Sequence, residues 1–180
     1  MSISALSVAQ IRSLSTTAIQ SLSTTSIQSL TTTQVSAFTT TGIGALSSTQ
    51  FGDFSTTQVK ALATTQIPSI NSSVSFTSGQ LLVLSAQQLG VLATAQVATM
   101  ETTAIQSFSI TQIGGLSSTN LSSLDQTQAA ALTTTQIGSF SVTQVGGLNA
   151  TDVAELTATQ VGALTRTQIV SDSTKSIAAP

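Results

Sequence analysis

Cysteine, histidine, tyrosine and tryptophan are all absent from this 180-residue chain. Without cysteine there is no disulfide and no thiolate nucleophile or metal ligand. Without histidine the commonest general base and metal ligand is missing. Charge is scarce too. The bases are Arg12, Lys60, Arg166 and Lys175, and the acids are Asp53, Glu101, Asp125, Asp152, Glu155 and Asp172. So thin a net charge of -2 offers no basic stripe to a phosphate backbone, which argues against nucleic acid as a partner. No apolar run approaches the roughly 18 residues of a membrane span. The start, MSISALSVAQIRSLS, lacks a basic segment followed by an apolar one, so no cleavable signal peptide is expected.

What is present is one pattern. Apolar residues recur with gaps of five, three, five, three, as in Leu132, Ile137, Phe140, Val145, Leu148, Val153, Leu156, Val161, Leu164 and Ile169. The beat runs from Leu6 to Ile70 and, after a slip, from Phe76 to Ile169. An internal repeat of this kind decides architecture before any motif does. Taking the first apolar residue of each octad as position 0, the second falls at position 5.

A single long helix fails, because eight residues turn about 800° and the apolar stripe would wander around it. A single long strand fails as well, because an odd spacing puts positions 0 and 5 on opposite faces. A short helix in every octad fits best. Position 1 is an N-cap residue nearly throughout, as in Ser15, Ser47, Asp125, Thr133 and Asn149. Three residues on comes Gln, as in Gln34, Gln50, Gln58, Gln136 and Gln160, which completes a capping box. Positions 0 and 5 then form the hydrophobic staple. Small residues at positions 6 and 7, such as Gly114, Gly115, Gly146 and Gly147, suit a left-handed helix stop and close backbone approach. The expected fold class is therefore an all-α solenoid of one-turn helices, with a β-solenoid as the alternative, since Thr, Val and Ile favour strands. One octad cannot offset its own ordering entropy, so neighbours must stack. Two octads, sixteen residues, make the expected coil.

The organisation expected is a first phase over 1–70, a slip or corner over 71–83, a second phase over 84–169 and a tail over 170–180. Between Ile70 and Phe76 the octad loses two residues, close to Pro68. Either the solenoid bends there, or the slip is a hinge beside an apolar contact patch, Leu81, Leu82, Val83 and Leu84.

Chemistry has little material. Ser and Thr abound, but no histidine can activate them. Asp152 and Glu155 lie three apart, yet Asp152 stands in the Gln slot of the capping box. The glycine pairs match no phosphate-binding pattern. No catalytic residue, cofactor or metal site is expected. Asn71, Asn120 and Asn149 stand in N-x-S/T sequons, which a Thr-rich repeat produces by chance. Thr33, Thr41, Thr49, Thr57 and Thr65 recur in a ladder that resembles the faces of ice-binding proteins.

The unit LTTTQIGSF, with LSSTQFGDF and LTATQVGAL, resembles the short Thr/Gln repeats of bacterial secreted and surface, adhesin-like proteins. The resemblance covers about residues 3 to 169. It implies an extracellular or cell-surface location and a structural or adhesive role, with no catalytic residues. Together these features predict a non-enzymatic, self-associating subunit of a filament, sheath or layer. The alternative is a monomeric binding module, either an adhesin fragment or an ice binder.

Overall fold

The computed structural model describes residues 3–170. It is all-helical, with nineteen α-helices of four to six residues, two 3-10 turns at Ile3–Ala5 and Ile67–Ser69, and no strand among the described residues. The helices pack in a regular array, an all-α solenoid. The expected tail, 170–180, lies outside the described residues apart from Val170.

Each octad folds as its capping grammar directs. Thr133, in extended conformation, accepts the Gln136 amide on its hydroxyl, and Gln136 Oε1 accepts the Thr133 amide at 2.8 Å. The helix Thr134–Gly138 follows for little more than one turn. The amide of Phe140, the next position 0, then bonds the Ile137 carbonyl at 3.1 Å and turns the chain into the next cap. Positions 0 and 5 point inward. Ile137, Ile113, Val97, Leu89, Val59 and Ile27 are fully buried, and one apolar cluster runs from Ile3 to Leu164.

The coil length differs from expectation. Each helix stacks on the one three octads earlier: Val8–Arg12 under Thr32–Ala37, that under Thr56–Lys60, and Ile110–Gly115 under Thr134–Gly138. A coil is thus three octads, 24 residues, and the solenoid has three faces. The helix stops explain why. No described residue has a positive φ, and the closing residues stay right-handed, as at Ser13, Ser139 and Gly147. A left-handed glycine stop would reverse the chain. The right-handed stop followed by an extended position 0 turns it by about a third of a circle.

The glycines serve close approach instead. A Cβ at Gly115 would run into the Ala86 backbone of the coil below, and one at Gly90 would come to 2.5 Å from the Gly115 carbonyl. The pair Ala86–Gly90 and Ile110–Gly115 is accordingly among the most closely stacked.

The slip lies within this stack. Coil three spans 54–75 and its last side, 70–75, is six residues long without a helix. Ser78–Leu82 still stacks on Thr56–Lys60. Phe51, Phe54 and Phe76 pack edge to face around the short side, with centroids 5.5 and 5.0 Å apart. The core is continuous across it.

Candidate interaction surfaces

The glutamine at position 4 has two roles. Its Oε1 caps its own helix, and its Nε2 reaches into the coil below. Gln136 Nε2 donates to the carbonyls of Ile105 at 2.8 Å, Phe108 at 2.9 Å and Gln106 at 3.4 Å. Gln50, Gln58, Gln66, Gln128 and Gln168 repeat this reach, to residues 28 and 31 behind. The acceptors are the carbonyl at a helix end, which already accepts the amide of the next position 0, and the carbonyl of the corner beyond it, outside the helix. One amide therefore clips the start of one helix to the end of another. The capping box was legible in the sequence, but this second bond was not, since it depends on which coil lies beneath.

Departures from glutamine fall into kinds. Ala18 and Ser26 occupy the slot in the first coil, 6–29. Asn120 is shorter and reaches only the Leu92 carbonyl, at 3.0 Å. Asp152 cannot donate, and accepts from the Asn149 amide at 2.7 Å and the Ser122 hydroxyl at 2.6 Å. Gln96 keeps its cap bond from the Ala93 amide, but its buried Nε2 has no partner. Counting as for Gln80 and Gln88, whose amides reach 26 residues behind, its acceptor would be Ile70, and there a 3-10 turn with Pro68 replaces the usual helix.

The run Leu81 to Leu84 is divided by the helix. Leu81 and Leu84 occupy positions 5 and 0 and are buried. A partner can meet only Leu82, which is 39% exposed, and the half-buried Val83. Of the sequon asparagines, Asn120 is buried in its clip, while Asn71 and Asn149 are exposed.

The Thr residues at position 3 all face outward, so Thr33, Thr57, Thr103, Thr127 and Thr151 line the first face, and Thr17, Thr41, Thr65, Thr111, Thr135 and Thr159 the second. The ladder therefore has a step of 24 residues and runs on every face, in place of a single array of consecutive octads.

The faces differ in charge. The first face, built on the helices from Val8–Arg12 up to Ala150–Ala154, carries Arg12, Lys60, Glu101, Asp125, Asp152 and Glu155. The third carries Asp53 and Arg166, and the second carries none over seven coils. Instead the second face exposes Val91 and Ile110 beside its Thr ladder. No group of three or more metal-ligating side chains occurs among the described residues. A depression lined by Ala98 to Thr103, Asp125, Thr127 and Gln128 is an open surface dish. No helix among the described residues is long and apolar enough to cross a membrane.

The geometry defines the class: a three-sided α-solenoid of octads, joined coil to coil by glutamine amides. No family model, curated protein or solved structure matches the chain.

Proposed function

We propose that this is a non-enzymatic structural protein that self-assembles into an extracellular filament, sheath or surface layer. The observation that carries the reading is the second face. Seven stacked coils present an array of hydroxyls, small or apolar side chains and the glutamines Gln20 and Gln87, without one charge. Net charge and interspersed charges of both signs are what ordinarily keep protein surfaces apart. A regular, uncharged face lets copies pack laterally with little repulsion. The extracellular setting rests on the resemblance of the octads to those of secreted repeat proteins. Sedimentation velocity over a wide concentration range, with negative-stain imaging, tests the proposal. Growth of laterally packed assemblies is expected, and Thr111→Glu, Thr135→Glu and Thr159→Glu together should suppress it. A monomer at every concentration would overturn the reading.

The outward Thr ladders favour a second reading, a monomeric binding module with one functional face. An ice binder would show thermal hysteresis that the same triple substitution abolishes, without any change in sedimentation.

A further inference from the structure

Wrapping the chain at 24 residues sorts its charges along the solenoid axis as well as among faces. On the first face the cations come first: Arg12 in the first coil and Lys60 in the third. The anions come later: Glu101 in the fifth coil, Asp125 in the sixth, and Asp152 and Glu155 in the seventh. Arg12, Lys60, Glu101 and Asp125 are exposed and Glu155 is half exposed, and no ion pair joins them among the described residues. Between the two blocks, in the fourth coil, sits Leu82, one of the few large apolar side chains left exposed.

Helix dipoles explain part of this. Arg12 and Lys60 lie in last turns, and Glu101 and Asp125 at N-caps. The dipole accounts for where in an octad each sign falls. It accounts neither for their gathering on one face nor for their separation along the axis.

We infer that the first face is the interface of an antiparallel, two-fold symmetric dimer with a second copy of this chain. This rests on the reading of the protein as self-associating, but it assigns a different face from the uncharged one. Place the two-fold axis across the fourth coil, along the helix direction. Leu82 then meets Leu82 of the second copy, and the first coil faces the seventh. Arg12 and Glu155 both lie at the C-terminal ends of their helices, so the same operation sets them opposite each other. The third coil faces the fifth, bringing Lys60 within about five residues of helical rise, roughly 7 Å, of Glu101. The operation is isologous, so each pair forms twice. A parallel dimer would set the cationic coils against cationic coils and the anionic coils against anionic ones. The size is adequate as well. Seven coils stacked at roughly 8–10 Å, on a face about 12 Å wide, bury on the order of 700 Å² per copy, close to a standard interface.

A single cysteine at Leu82 tests this in the full chain, which has no other thiol. Leu82→Cys, treated with an oxidant or a short bis-maleimide, should be captured as a dimer at low salt. Val142→Cys, exposed on the third face, serves as the control. Because charge pairs hold the register, capture should fall severalfold in about 1 M salt, where screening acts within roughly 3 Å. Arg12→Glu should weaken the dimer about five- to tenfold, since reversal replaces two attractions by two repulsions, and Arg12→Glu with Glu155→Arg should restore it. Circular dichroism checks that each variant keeps its helices. Assembly that proceeds without Leu82→Cys capture, or without rescue by the double reversal, overturns this interface and leaves lateral packing standing. A monomer at all concentrations overturns both.

Discussion

Replacing Gln136 by leucine removes a clip while preserving most of its volume. Four hydrogen bonds are lost: the cap from the Thr133 amide and those to the Ile105, Phe108 and Gln106 carbonyls. The Ile105 carbonyl keeps its bond from the Phe108 amide, and the Gln106 bond is long. The Phe108 carbonyl, buried and outside any helix, loses its partner, as does the Thr133 amide. A typical net contribution of about 1 kcal/mol per bond, with a further 1–2 for the stranded carbonyl, gives a loss of about 3–5 kcal/mol. For a chain of this length each kcal/mol lowers Tm by about 2–4 °C, so Tm should fall by at least about 6 °C. Gln10 supplies the contrast. It sits exposed in the first coil and makes only the local bond from the Ser7 amide, at 2.9 Å. Gln10→Leu should cost about 0.5–1 kcal/mol, the worth of a cap. Urea titration followed by far-UV circular dichroism measures both. Costs that agree within about 1 kcal/mol, or a greater loss at Gln10, would refute the clip as the bond between coils.

Other sites give independent expectations. Gln96→Leu should cost under about 1 kcal/mol and can stabilise, because its Nε2 already lacks a partner; a loss as large as at Gln136 would count against the orphaned amide. Gly115→Ala should destabilise by about 1–3 kcal/mol through contact with the Ala86 backbone, whereas Gly114→Ala, which meets nothing, should gain about 0.4–1 kcal/mol; thermal melts of the pair decide it. Ala129 holds position 5, where other octads carry larger side chains, and borders a small void among Leu121, Leu124, Phe140 and Leu148. Ala129→Val should stabilise by about 0.5–2 kcal/mol in urea titration, and a loss of stability would show that the void cannot take the added methyl groups.

The octad made the helices legible because each carries its own instructions: an N-cap such as Thr133, a capping-box Gln136, and the pair Leu132 and Ile137. Those are local interactions, and all are visible within eight residues. The coil length is not local. It depends on the angle at each corner, and Gly147, a residue type that suits a left-handed stop, takes a right-handed conformation. Everything that depends on the wrap was hidden with it. Glu101 and Asp125 are 24 apart, so a 24-residue coil puts them on one face, whereas a 16-residue coil would put them on opposite sides. Leu81 to Leu84 reads as a patch along the chain, whereas the helix turns Leu81 and Leu84 inward and leaves Leu82 outside.

The wrap can be tested in a chain that has no thiol of its own. The Ser36 hydroxyl lies 2.6 Å from the Ala61 carbonyl of the next coil, 25 residues on. A 24-residue coil predicts that Ser36→Cys with Ala61→Cys forms a disulfide readily, since stacked backbones at that approach suit its geometry. A 16-residue coil would instead bring Asp53 beside Ser36. Ready oxidation of Ser36→Cys with Asp53→Cys, and failure of the Ala61 pair, would contradict the three-octad coil and the faces built on it.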